Sequence, residues 1–265
     1  MKLVGQSSLV TKLNNYTLQT LPKTLLFLGE QGCGKHYLAS YVSQLFNIKL
    51  HIITPEVTAD DLIEFSQNPL TTLYLIDLNN FTEKQQNQFL KFIEEPTSTV
   101  YIILITKSES GILPTILNRC IKYYFEPYTP EQLKEISGNN EAANSIIYQI
   151  CNTPGKLFNN SLSSIKDAYN LCMTLTEKLS QASWANTLKI STMINYKEDY
   201  NKIDFNLFFD TLEFVSFNYY KANNTKLSWI IYNITNKAKQ IMIDKIIVKE
   251  NFMLNFLTKL WKETH

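Results

Sequence analysis

Five short apolar runs punctuate the first half of the chain, and between them the apolar residues recur at helical spacing. Thr24–Leu28, Lys49–Ile53, Thr72–Ile76, Val100–Ile105 and Ile121–Phe125 are each of strand length. Strands alternating with helical stretches predict an α/β domain with a parallel sheet. Thr82 followed by Gln85 predicts a capped helix start, and Pro96 predicts its end, because the residue before proline is pushed out of helical geometry. Thr129-Pro130-Glu131-Gln132 is a second start of the same kind. Strand signals stop after Phe125. Short helices are expected to about Ser163, interrupted at Thr153-Pro154-Gly155, and from Ser164 to His265 the pattern is helical without a proline or glycine. The expected division is an α/β domain over 1–126, a small helical domain over 127–163 and an all-helical domain over 164–265.

Composition narrows the class. The chain has 265 residues, of which 45% are apolar and 18% charged, as in ordinary globular proteins. Twenty-five basic residues face 24 acidic ones for a net charge of +1, which argues against a surface that is basic throughout. The start carries no signal-peptide pattern and the apolar runs are far short of a membrane span, so a cytoplasmic protein without membrane contact is expected. Cys33, Cys120, Cys151 and Cys172 are scattered, with no C-x-x-C pair, which suits free thiols in a reducing compartment and predicts no zinc. Of the 25 basic residues 24 are lysines, and Arg119 is the only arginine.

The first candidate site follows the first strand directly. Gly29, Glu30, Gln31, Gly32, Cys33, Gly34, Lys35 and His36 read G-x-x-x-x-G-K-H and open a helix running to about Phe46. Glycines let backbone amides curl around an anion, the helix N-terminus adds positive potential, and the lysine reaches the outer phosphates. The last position normally supplies a Ser or Thr hydroxyl to Mg²⁺. Imidazole is a poor substitute for a hard ion, so His36 is read as a surface residue. Binding of ATP stays open at this loop, whereas hydrolysis is not expected.

The third strand ends in Asp77, at the edge where open α/β sheets bind ligands. Asp77 is placed to hold Mg²⁺ through water, but the next residue is Leu78 where a hydrolase needs a general base, and Asn79 and Asn80 are too weakly basic to replace it. The departures at 36 and 78 strike separate parts of the hydrolysis machinery.

The order of these motifs resembles the bacterial clamp-loader family of AAA+ proteins. Val4-Gly5-Gln6, Gly29 to Lys35, Leu75-Ile-Asp77, FLKFIEEPT from Phe89 and LPTILNRC from Leu113 carry the resemblance over residues 4 to about 160. Within the family it is most like the delta-prime subunit of DNA polymerase III, with gamma/tau second. The resemblance implies a AAA+ core, a helical lid and a C-terminal collar, with sibling subunits in a hetero-oligomeric ring, a sliding clamp and primer–template DNA as partners. It implies that Lys35 and Asp77 face nucleotide, that Thr106 sits where a polar residue senses the γ-phosphate, and that Arg119 acts in trans on ATP held by an adjacent subunit. Lys156 is placed near the second sensor. The family's four-cysteine zinc module is absent, since 46–73 holds no cysteine. The alternatives are an ATP-hydrolysing gamma/tau-type motor subunit and a free-standing P-loop protein outside replication.

Several features have plainer readings. Glu94 and Glu95 are adjacent on a helix and point about 100° apart, so a solvated helix end is expected rather than acid–base chemistry. Cys33 lies near a helix N-terminus but lacks an upstream base for nucleophilic work. Phe205, Phe208, Phe209, Leu212, Val215, Phe217 and Tyr219 fit a buried helix face better than a stacking platform for nucleic acid. Lysines 237, 239, 245 and 249 are expected to be a solvated face.

Overall fold

The computed structural model describes residues 4–138, 142, 145–195, 203–244 and 247–265. Helix α1 (Ser7–Asn14) precedes β1 (Thr24–Leu28), α2 (Lys35–Leu45), β2 (Lys49–Ile53), α3 (Ala59–Gln67) and β3 (Thr72–Asp77). After a 3₁₀ turn at Leu78–Asn80 come α4 (Glu83–Gln88), α5 (Leu90–Glu94), β4 (Val100–Thr106), α6 (Pro114–Leu117), β5 (Ile121–Tyr124) and α7 (Pro130–Ser137). The strands form one parallel sheet in the order β2-β3-β4-β1-β5.

The sheet is buried on both faces, as its near-continuous apolar strands require. Leu26, Leu28, Tyr74, Ile76, Ile102 and Leu104 pack on one side with Phe89, Phe92 and Ile93. Leu25, Phe27, Leu73, Leu75, Ile103 and Ile105 pack on the other with Leu9, Leu13, Leu38 and Val42. Both expected capping boxes are present, Thr82 with Gln85 and Thr129 with Gln132. The helix expected from Thr82 to Pro96 is divided into α4 and α5 at Phe89, a fully buried residue.

The chain falls into two compact units, residues 1–140 with Asn152–Gly155, and 141–151 with Lys156–His265. The second holds α8 (Ile146–Ile150), most of α9 (Pro154–Asn159), α10 (Leu162–Lys178), α11 (Trp184–Met193), β6 (Ile194–Asn195), β7 (Ile203–Asp204), α12 (Phe205–Asn223), α13 (Lys226–Asp244) and α14 (Lys249–Thr264). The expectation of helix alone after Ser164 is corrected by β6 and β7, a two-residue parallel pair too short to leave a period in the sequence. Phe205, Phe208, Phe209, Leu212 and Val215 are buried, and Phe209 packs edge-on against Phe256 of α14. Lys239 is half-buried in an ion-pair network instead of lining a solvated face, whereas Lys237 and Lys249 are exposed and Lys245 lies outside the described residues.

Candidate functional site

Leu28 hands the chain to the phosphate loop at the carboxyl edge of the sheet, where β1, β4 and β3 end side by side, with Leu28 paired to Thr106 and Asp77 to Ile105. Gly34 caps α2 at φ 95°, a left-handed conformation that glycine adopts without strain. Gly32, at φ 80°, lies against Gly155 so closely that a Cβ on Gly155 would stand 2.5 Å from Gly32 Cα.

Five consecutive carbonyls of the loop accept hydrogen bonds. The Lys35 Nζ donates to Gly29 O at 2.6 Å and Glu30 O at 2.8 Å. Thr153 Oγ1 donates to Gln31 O at 3.3 Å, the Gly155 amide to Gly32 O at 2.9 Å, and the Tyr128 hydroxyl to Cys33 O at 2.9 Å. Within the loop the Cys33 amide also donates to Glu30 O at 3.3 Å, so the loop is braced by its own backbone as well as from outside. Lys35 is 8% exposed. The Cys33 thiol touches its ammonium at 3.7 Å. Burial pushes that thiol up against the opposing pull of Lys35, which disfavours a thiolate.

The N-terminal motif is tied to the same region. Gln6 donates from Nε2 to Glu126 O at 2.7 Å and accepts from the Glu126 amide at 2.9 Å, fastening the segment before α1 to the segment after β5. Tyr128, two residues on, packs on Gly5, where a Cβ would meet its ring at 2.7 Å.

Asp77 and Thr106 are brought together through Asn79. Asp77 caps the 3₁₀ turn, its Oδ1 accepting from the Asn79 amide at 3.1 Å and from Asn79 Nδ2 at 2.6 Å. Asn79 Oδ1 accepts from Thr106 Oγ1 at 3.2 Å and from the Lys107 amide at 3.2 Å. Thr106 is 1% exposed and also donates to Ser108 O at 2.9 Å. Leu78 is 1% exposed in the core with Phe81 and Phe89, so its side chain belongs to the packing and not to the edge. His36 is exposed on the first turn of α2.

Two residues singled out from the sequence lie in other surroundings. Arg119, just after α6, donates from Nη1 to Thr115 O at 2.7 Å and pairs with Glu94, both side chains being more than a third exposed. Glu94, expected to be a solvated helix end, is thus a partner of the sole arginine. Lys156 pairs with Asp210 at 2.9 Å within the helical unit, where Lys239 also meets Asp210 at 2.7 Å and pairs with Glu213. Sequence reasoning missed Tyr128, which reaches the Cys33 carbonyl from 95 residues away and carries no local signal. The segment Thr153-Pro154-Gly155-Lys156 was expected near the second sensor from the resemblance, and Thr153 and Gly155 meet the loop carbonyls while Lys156 does not. The role of Asn79 was readable only as an Asp-x-Asn turn pattern. Among the described residues no group of three or more His, Cys, Asp or Glu is placed to hold a metal ion, and no helix is long and apolar enough to cross a membrane.

The sheet order, the loop between β1 and α2 and the helical C-terminal portion define a AAA+-type P-loop fold. Solved structures agree. A DNA polymerase III gamma subunit-related protein of Thermotoga maritima matches with a TM-score of 0.50 at 15% identity, covering 97% of this chain and 99% of that one. The RuvB Holliday junction branch migration motor of the same organism matches at 0.51 and 15%, covering 90% and 76%. In sequence, the family described as DNA polymerase III, delta subunit, matches residues 63–129. DNA polymerase III subunit gamma of Buchnera aphidicola is 24% identical over 212 residues, 67% of this chain and 56% of its own length. Subunit delta' of Bacillus subtilis is 34% identical over 76 residues, 27% of this chain and 23% of its own. The chain therefore spans little more than half of the first of these relatives and less of the second. Over part of its length the chain is thus similar in sequence to the gamma, tau and delta' subunits of DNA polymerase III.

Proposed function

We propose that the chain acts in DNA replication as a delta-prime-like subunit of a clamp loader, one that does not hydrolyse ATP and lends Arg119 to ATP held by an adjacent subunit. In this reading residues 127–163 serve as lid and 164–265 as collar in a hetero-oligomeric ring that places a sliding clamp on primed DNA. The observation that carries it is the state of the hydrolysis positions. Leu78 is buried in the core where a water-orienting base would be needed, and His36 stands exposed where the loop would supply a hydroxyl to the metal. ATP phosphates fit the braced loop, with Lys35 exchanging carbonyls for phosphate oxygens. The site is poorly suited to a hydrolytic magnesium ion, because His36 offers no hydroxyl where the loop would supply an oxygen ligand.

A second reading, a gamma/tau-type motor, is favoured by the 212-residue match to a gamma subunit and by the intact Gly29–Lys35 loop. Phosphate release by the purified chain, alone and with primed DNA and clamp, separates the two. The delta-prime-like reading expects no turnover above background; turnover from this chain alone supports the motor. A free-standing P-loop protein would not co-purify with other loader subunits.

A further inference from the structure

The distal end of the α12–α13 hairpin differs from the rest of that helix pair. In the core around Phe205, Phe208 and Phe209 the rings meet at steep angles, from 57° to 87°. Past Val215 the packing changes. Phe217, Tyr232, Trp229 and Tyr220 form a row with centroids 5.0, 5.6 and 4.8 Å apart and interplanar angles of only 33°, 29° and 36°. Trp229 is 42% exposed, and the other three rings are half-buried.

The charge around this row is one-sided. No aspartate or glutamate occurs from Phe214 to Ile243 in a chain whose acidic and basic residues otherwise balance. Lys221 stands over the Phe217 ring at 4.3 Å and is exposed, as are Lys226 and Lys237. The remaining lysine of the stretch, Lys239, is neutralised by Asp210 and Glu213. Asn218, Asn223 and Asn233 bond back to helix carbonyls, so the polar residues interspersed with the rings carry no negative charge.

A row of rings tilted by only 29° to 36° to one another, open at a tryptophan and flanked by cations without carboxylates, matches one kind of partner. Unpaired bases stack on such faces whatever their sequence, and phosphates seek the lysines. A protein partner of acidic character would meet the lysines but has no need of an open tryptophan face beside them. We propose that this face binds single-stranded nucleic acid, with bases stacking at Trp229 and phosphates held by Lys221 and Lys226. The inference stands apart from the proposed function, since it requires neither ATP nor sibling subunits.

The test uses the full-length chain and a thymidine oligomer of about a dozen nucleotides, within the usual site size for such platforms. Tryptophan emission is expected to be quenched saturably, with the quenching lost in Trp229→Leu, which retains Trp184 and Trp261. Affinity is expected to fall as salt rises, and an abasic oligomer of the same length to bind more weakly. A uridine oligomer of the same length shows whether DNA or RNA is preferred. Lys221→Glu/Lys226→Glu, at exposed positions, and Trp229→Leu, with helicity verified by circular dichroism, are each expected to weaken binding about tenfold or more. The proposal is overturned if no oligomer binds or if both variants bind like the wild type. It is equally overturned if they disrupt assembly with another protein while oligonucleotide affinity is unchanged.

Discussion

Gly155 donates its amide to the carbonyl of Gly32 at 2.9 Å, bringing two glycine backbones from opposite ends of the α/β unit into direct contact at the phosphate loop. A methyl at Gly155 would stand 2.5 Å from Gly32 Cα and 3.2 Å from Gly32 O. Backbone cannot yield by changing a rotamer. Gly155→Ala is therefore expected to lower stability by about 1–3 kcal/mol, the usual cost of overpacking. Urea melts should show a lower midpoint with an unchanged slope; an unaltered midpoint would mean that the two glycines are not in contact.

Leu78 offers a sharper case, because the substitution that would restore a catalytic base is structurally forbidden. Its side chain is 1% exposed among Phe81, Phe89 and Ile76. Leu78→Glu places a carboxylate there, at a cost of at least about 2 kcal/mol. Combined with His36→Thr, it is expected to melt earlier and to gain no ATP turnover. A doubly substituted protein that keeps the wild-type midpoint and hydrolyses ATP would show that position 78 faces the loop.

The Asp210 network gives the helical unit a pH dependence. Burial raises the Asp210 carboxyl, but the Lys156 and Lys239 ammonium groups outweigh it and hold the group below its ordinary value. Its contribution is then fully present above the unfolded pKa, about 4, and is lost as pH falls through the lower folded value. Burial lowers Lys239, yet Asp210 and Glu213 outweigh it and raise the group, so its contribution is lost only as pH climbs through that raised value. Asp210→Asn leaves Lys156 without its carboxylate and Lys239 with Glu213 alone, and is expected to cost about 1.5–3 kcal/mol at neutral pH. The gap from wild type should narrow below about pH 4; a gap that stays constant from pH 7 to pH 3 would remove Asp210 from the account.

Much of this was legible in the sequence wherever the signal was local. Strands β1 and β2 have their expected bounds, and the other three differ by one residue at one end. The capping boxes at Thr82 and Thr129 were readable because a cap is a matter of four residues. The break at Phe89 was not, since no proline or glycine marks it. Neither was the pairing of Arg119 with Glu94 or of Lys156 with Asp210, because ion pairs between distant segments follow from the fold and have no period. The aromatic stretch divided in a way that spacing cannot show. Phe205, Phe208, Phe209, Leu212 and Val215 are core, whereas Phe217 meets Tyr232 at a tilt of 33° at the half-exposed end of the hairpin.

Arg119 carries the central claim. In this structure its guanidinium is held by Thr115 O and Glu94, an exposed arrangement of the kind worth about 0.2–1 kcal/mol, so little opposes its transfer to a neighbour's phosphate. A planar fork suits the charge of phosphoryl transfer, and lysine lacks it. The deciding measurement is ATP turnover and clamp loading by a complex reconstituted with Arg119→Lys beside one with the wild-type chain. The account predicts equal assembly, turnover at the one adjacent site reduced by about 10³-fold or more, the scale of arginine fingers elsewhere, and a corresponding partial loss in the whole complex with impaired loading. Wild-type turnover and loading with the lysine in place would contradict it.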